Sequence, residues 1–149
     1  MGDDIRLAPV ALIKNEINEP MAEGWEEVRS EIVVGPDFMD CLDGIEENSH
    51  ITVIFWMDRV TQEQRGLKKV HPRGRKDLPY LGIFATRCPQ RPNPLGLVTV
   101  KLLKREGNRL EVAGLDALNG TPVLDIKPYS RRHDYIEGAR CPAWTRELW

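Results

Sequence analysis

Apolar residues in this chain recur at every second position, in runs too short for helices and broken by glycine or proline. That alternation restricts the possible fold more than any other feature of the sequence. In residues 26–34, Val28, Ser30, Ile32 and Val34 fall on one face, against Glu27, Arg29, Glu31 and Val33. This is the two-residue period of a strand. Residues 10–13 begin the pattern behind Pro9, whose missing N–H suits a strand edge or start. Residues 51–57 form an unbroken apolar, β-branched run and predict a strand buried on both faces. Residues 97–103 and 109–113 flank Glu106-Gly107-Asn108, a turn whose residues tolerate positive φ, so the pair reads as a hairpin. Residues 122–126 add a short strand closed by Pro128. Only residues 37–42, after Gly35-Pro36, read as a helical turn, with Asp37 as its cap. The expectation is a mostly-β chain: one β-barrel domain over residues 1–149, closed or nearly so, with short helical turns and no internal repeat.

Several alternatives fall away. A chain of 149 residues has the length of one ordinary domain, and no window approaches the ~18 consecutive apolar residues of a membrane-spanning helix. The opening Met1-Gly2-Asp3-Asp4-Ile5-Arg6 lacks a basic stretch ahead of an apolar one, so we expect no secretory leader and a cytoplasmic location. Cys41, Cys88 and Cys141 are far apart, as are His50, His71 and His133. Such spacing suits neither a disulfide framework nor a structural zinc site, and no metal is expected. The glycine signatures of dinucleotide folds and P-loops, the nucleophile elbow and the H-E-x-x-H zinc motif are absent. The shortage of long amphipathic helices also excludes a Rossmann scaffold.

Charge is distributed unevenly. Residues 1–58 hold fourteen acids against three bases, whereas residues 59–149 hold eighteen bases against nine acids. Either the two halves pair electrostatically, or the second half faces an anion such as nucleic acid, a nucleotide or phosphate. The basic loop at residues 68–76 contains Arg73 and Arg75. It reads as a solvated loop or as a phosphate-contacting arm, and in the second case binding would weaken steeply with salt. Residues 82–96 carry three prolines within six positions (Pro89, Pro92 and Pro94), which no regular element tolerates. A loop with so little chain entropy is pre-organised, and it holds the guanidiniums of Arg87 and Arg91 and the amide of Asn93. Planar donors on a rigid loop suit a carboxylate, a phosphate or an adenine edge; an internal ion pair of Arg87 and a nucleophilic Cys88 are the alternatives.

These residues match a known pattern. Residues 82–96 (Gly-Ile-Phe-Ala-Thr-Arg-Cys-Pro-Gln-Arg-Pro-Asn-Pro-Leu-Gly) and 119–129 (Asn-Gly-Thr-Pro-Val-Leu-Asp-Ile-Lys-Pro-Tyr) closely resemble the two motifs of the TsaA-like family, also called TrmO. Ser49-His50 and Asp134 fit its further positions, so the resemblance covers residues 44–134. It implies an S-adenosyl-L-methionine-dependent methyltransferase on a β-barrel, a homodimer with the cofactor near the subunit interface. The implied reaction is methylation of the exocyclic amine of threonylcarbamoyl-adenosine beside the tRNA anticodon.

Carried over by position, the resemblance implies cofactor contacts from Asp58, Arg59, Arg87 and Leu97, with Thr121, Pro122, Val123 and Leu124 offering backbone groups to the adenine. Asp125 and Tyr129 become candidates to accept a hydrogen bond from the methyl-accepting amine. Arg91, Asn93 and Lys127, with Arg73 and Arg75 of the basic loop, become candidate substrate contacts. The sulfonium is an activated donor, so such a site mainly aligns acceptor nitrogen, methyl carbon and sulfur. Lys127 has a second role open to it, as the ion-pair partner of Asp125 or Asp116. This chain departs from the family in three places. Asn18-Glu19-Pro20-Met21 stands where the family has Pro-Arg-Gln, Asp58 where it tends to have His, and Cys88 where it tends to have Ser. The chain also stops at Trp149, from which we expect no additional C-terminal domain. The departures keep an alternative in view, a barrel that binds the same cofactor but acts on a small molecule or serves as a sensor.

Overall fold

The computed structural model describes residues 4–148, so Met1, Gly2 and Asp3 of the opening read above and the final Trp149 lie outside the described residues. Eight strands run in chain order: β1 (Ala11–Lys14), β2 (Arg29–Val34), β3 (His50–Trp56), β4 (Lys69–Val70), β5 (Leu81–Gly82), β6 (Leu95–Glu106), β7 (Arg109–Ala113) and β8 (Pro122–Pro128). Two one-turn helices, α1 (Gln62–Arg65) and α2 (Arg131–Asp134), and several 3₁₀ turns connect them. The described residues fall into two compact units. One holds the chain up to Asp58 together with Leu95–Tyr129, the other Arg59–Pro94 and the chain from Ser130.

The first unit is a closed barrel in the order β1-β2-β7-β6-β3-β8, antiparallel at every pairing. Its interior is the alternating face read from the sequence. Ile13, Ile32, Ile51, Val53, Leu110 and Val112 are fully buried, and Ser30, Ile32 and Val34 share the inner face of β2. Buried Ser30 accepts a hydrogen bond from Asn15 Nδ2 at 2.9 Å, and the same amide donates to Ala117 O at 2.9 Å, so no polar atom is left unpaired there. β6 and β7 form the predicted hairpin. Glu106 pairs with Arg109, leaving Gly107 and Asn108 as a two-residue loop. Gly107 has φ 59 and Asn108 a negative φ, the pattern of a II′ turn.

Two local expectations are corrected. The strand at residues 51–57 is not buried on both faces: Ile51, Val53 and Phe55 point inward, whereas Thr52, Ile54 and Trp56 are only half-buried. In a barrel every strand has an outer face, and on β3 that face is apolar without being covered by another layer of this unit. The helical turn spans Pro36–Leu42, with Gly35 at the cap position and no side-chain cap. Pro36 fixes φ at the first helical position, so Asp37 lies inside the first turn and caps nothing.

The second unit is built around the short β4–β5 pair and the proline-rich loop. Its segments, residues 59–94 and 130–149, contain thirteen Lys and Arg against five Asp and Glu, while those of the barrel contain eight against eighteen. The charge asymmetry seen along the sequence is therefore sharper between the units, about +8 and −10.

Candidate functional site

Strand register assembles one face of the barrel. Ile54 on β3 stands opposite Leu97 on β6 and opposite Asp125 on β8. One outward row thus carries a predicted cofactor contact, an apolar spacer and a predicted catalytic carboxylate. Neighbouring strands are about 4.8 Å apart, so Leu97 and Asp125 lie about 10 Å apart across this row. The next row toward the start of β3 is Thr99, Thr52 and Lys127, with Thr52 and Thr99 sharing a hydroxyl hydrogen bond of 2.8 Å. In the other direction Trp56 faces Leu95. Leu97 is half exposed, and the face is apolar with a polar margin.

The second motif is shaped by a bulge. The β3–β8 register shifts between Ile54, which pairs with Asp125, and Phe55, which pairs with Val123, so Leu124 is the extra residue. A bulged residue is left out of the ladder. Other members of that stretch have backbone partners in β1, just ahead of it, or in the preceding turn: Thr121 O accepts from Ile13 N at 3.0 Å, Val123 O accepts from Val10 N at 2.8 Å, and Thr121 N donates to Leu118 O at 3.2 Å. Thr121 and Val123 are buried, and Pro122 has no N–H. Of the four residues expected to offer backbone groups, Leu124 is the one displaced from the β3–β8 register.

Asp125 is half exposed. Its Oδ1 accepts from Ile126 N at 2.9 Å and its Oδ2 from Lys127 Nζ at 2.8 Å. The hydrogen bond to Asp125 raises the Lys127 pKa above its ordinary value. Of the two partners left open for Lys127, the structure shows Asp125. Tyr129 hangs from the end of β8, its N–H donating to His50 O at 3.1 Å, and its ring is exposed. Asp58 follows β3 with its N–H on Trp56 O at 2.9 Å. A cavity of 290 Å³ also opens in this unit beneath residues 36–45, lined by Val10, Val34, Phe38, Leu42 and Ile126 and touching Asp125.

In the second unit the proline-rich loop is held by more than its prolines. Arg91 Nη1 donates to the carbonyls of Thr86 and Cys88, each at 3.3 Å. Thr86 Oγ1 donates to Ile83 O at 2.9 Å and accepts from Cys88 N at 3.3 Å. Arg65 Nε reaches Pro92 O at 2.8 Å. Arg91 is thus a staple of the loop, whereas Arg87 and Asn93 are exposed upon it. Cys88 Sγ contacts Gln90 Oε1 at 3.2 Å. Arg59 is exposed at the start of this unit.

The basic loop divides in the same way. Arg75 is committed to Asp77, 2.5 Å away, and to Glu147 O at 2.8 Å. Its hydrogen bond to Asp77 raises the Arg75 pKa and lowers that of Asp77. Arg73 is exposed and has φ 52, ψ 22; it is the one non-glycine residue with positive φ among those described. Phe84, between buried Ile83 and exposed Ala85, is 81% exposed. Sequence reasoning gives Phe84 no role, because an apolar residue inside a motif reads as core.

Known proteins share this architecture. A crystal structure of TrmO superposes with a TM-score of 0.77 at 33% identity, over 93% of this chain and 64% of that one. An "S-adenosyl-L-methionine-binding protein" of Archaeoglobus fulgidus is 39% identical over 134 residues, 87% of this chain and 93% of the relative. A second protein of the same organism, named "Probable S-adenosyl-L-methionine-binding protein", is 42% identical over 90% of this chain, which spans only 35% of that relative's length. The family model for the tRNA-methyltransferase O N-terminal domain matches residues 13–135. With its six-stranded, non-Rossmann barrel and both motifs in place, the chain belongs to the tRNA-methyltransferase O N-terminal domain family.

Proposed function

We propose that this chain binds S-adenosyl-L-methionine and transfers its methyl group to the exocyclic amine of threonylcarbamoyl-adenosine in tRNA, acting as a homodimer. The observation that carries the reading is the family match over residues 13–135. The outer face of the barrel fits the cofactor chemically. Leu97, Ile54 and Leu124 offer apolar surface to an adenine ring, and the carboxylates of Asp125 and Asp58 suit a ligand that carries a sulfonium and an ammonium. A cavity of 290 Å³ falls just below the ~300 Å³ at which ligand pockets begin, so the open face is the better seat for so long a ligand.

When bound, the cofactor supplies an activated methyl group. The residues of the chain position the acceptor. Asp125 retains lone pairs beyond those given to Ile126 N and Lys127, and a carboxylate offers about four acceptor sites. One of these accepts the acceptor's N–H, turning the nitrogen lone pair toward the methyl carbon. Tyr129, exposed just beyond the end of the same strand, is a second candidate for the same task. The bulge sets Leu124 out of the β3–β8 register, which suits it to offer backbone groups to the adenine. Apolar area on β3 and β6 that the barrel leaves half-exposed suits a second subunit as well as a cofactor.

The test is incubation of the purified chain with labelled methyl donor and total tRNA at low salt, followed by nucleoside analysis of the RNA. Label in threonylcarbamoyl-adenosine is the expected result. Donor binding measured by calorimetry without any transfer to tRNA overturns the choice of acceptor and selects the small-molecule or sensor alternative.

A further inference from the structure

Two features of the second unit go unused by methyl-transfer chemistry, and both place a side chain in solvent at a cost to the fold. The first is Phe84. Its neighbour Ile83 is 4% exposed, donates its N–H to Lys68 O at 2.9 Å, and accepts at its carbonyl from Thr86 N at 3.1 Å and Thr86 Oγ1 at 2.9 Å. The turn is pinned at its base, while the Phe84 ring stands almost wholly in water. A soluble chain gains nothing from so exposed a ring unless something stacks on it.

The second is Arg73. Gly74 N donates to His71 O at 2.9 Å, closing a turn with Pro72 at its second position and Arg73 at its third. The φ of 52 at Arg73 makes this a type II turn, whose third position favours glycine because a Cβ is strained there. The chain holds a long cation where glycine would be more stable, and residues held in such sparsely populated conformations cluster at functional sites. Lys68, Lys69 and Lys76 are exposed in the same loop region, and the unit's segments carry the +8 surplus counted above.

An exposed aromatic on a rigid turn within a cationic unit is the physical recipe for binding single-stranded nucleic acid, with bases stacked on the ring and phosphates held by cations. A contact between two copies of the unit is disfavoured by its own charge. We propose that Phe84 is the platform on which an unpaired base of the RNA substrate stacks, and that Arg73 is a phosphate contact held in place by its strained turn. This rests on the reading of the acceptor as RNA and adds to it the residues that select an unstacked base.

The experiment measures anisotropy of a short fluorescein-labelled RNA hairpin with an adenosine-rich loop across a salt series. Phe84→Leu lowers affinity by about 5- to 150-fold, the range for one stacked base, at every salt concentration and with an unchanged log–log slope. Phe84→Trp keeps the affinity. Arg73→Gly flattens the slope by about 0.7, one single-strand phosphate contact, while raising the melting temperature as strain is relieved. Unchanged affinity of Phe84→Leu, equal loss in Phe84→Trp and Phe84→Leu, or a Phe84→Leu protein of altered sedimentation each overturns the proposal. If the wild type methylates tRNA while Phe84→Leu binds the hairpin normally, this inference fails alone. If the wild type binds the donor but leaves tRNA unlabelled, the underlying acceptor reading fails.

Discussion

Gly96→Ala is the substitution whose consequence follows most directly from the geometry. Gly96 on β6 faces Phe55 on β3, and the ring of Phe55 lies across the glycine. A Cβ at position 96 would sit 2.2 Å from Cε2 and Cζ and 2.7 Å from Cδ2 of that ring. Ordinary contact needs about 3.4 Å or more, so the ring must retreat by about 1 Å. Phe55 is 4% exposed and belongs to the barrel core with Val53 and Val123, so there is no slack behind it. Overpacking of this kind costs about 1–3 kcal/mol. The backbone at Gly96 does not have positive φ, so the penalty comes from the ring and not from the dihedral. In a chain of this length, 1 kcal/mol moves the midpoint by about 2–4 °C, so thermal denaturation followed by circular dichroism should show a drop of roughly 2–12 °C. Phe55→Leu in the same background should return part of that loss, with a favourable coupling of about 1 kcal/mol or more in the double-mutant cycle. Because Leu97 follows Gly96 on the strand, affinity for the methyl donor should fall in Gly96→Ala and recover in the double variant. A Gly96→Ala midpoint within about 1 °C of wild type, or penalties that simply add, would refute the account.

Other consequences are as direct. Asp125→Asn should lower the methyl-transfer rate by about ten- to a hundredfold with donor affinity little changed, because an amide is a weaker acceptor for the amine proton; single-turnover kinetics reads it. Arg91→Ala removes the two hydrogen bonds to Thr86 O and Cys88 O, and amide exchange at Cys88 should quicken by about tenfold as the loop loosens. Asp77 has its pKa lowered by Arg75, so the stability it contributes is present above its unfolded pKa of about 3.9 and is lost as pH falls through its lower folded value. Asp77→Asn should accordingly be less stable than wild type at neutral pH, with the gap in melting temperature closing under acid. Gly107→Ala, at φ 59, should destabilise the β6–β7 hairpin by about 1–2 kcal/mol, measured by urea denaturation.

The barrel was legible because strand alternation is a local signal. The inner faces of β2 and β7, the hairpin and the closing strand β8 can all be read from periodicity. One strand limit was less so. β6 begins at Leu95, inside the motif, because Phe55 covers Gly96, and no pattern along one strand announces a ring on the next. The outer face of β3 was misjudged for a related reason. A run that is apolar at every position reads as buried twice, but a barrel wall buries only the odd members, leaving Ile54 and Trp56 as available surface. The bulge at Leu124 depends on register between β3 and β8 and has no sequence signature of its own.

Within the site, motif membership turned out to mix two physical kinds of residue. Gly96 accommodates the ring of Phe55, buried Pro94 closes the proline loop, and Arg91 spends its guanidinium on that loop's own carbonyls. These residues make the surface rigid. Arg75 does the same for the basic loop through Asp77 and Glu147. Arg87, Asn93 and Phe84 belong to the same motif but stand exposed upon it. From sequence the arginines all look like ligand contacts, since a guanidinium bound to its own backbone and one facing a phosphate have the same letter. What separates them is how each hydrogen-bonding group is satisfied inside the chain. Of the five arginines first expected at the site, Arg59, Arg73, Arg75, Arg87 and Arg91, the hydrogen bonds described above assign Arg75 and Arg91 to structure. Alanine at either should therefore loosen its loop before it weakens any ligand directly. Removal of Arg87, an exposed member of the same loop, should lower donor or acceptor affinity, as calorimetry with each ligand would read.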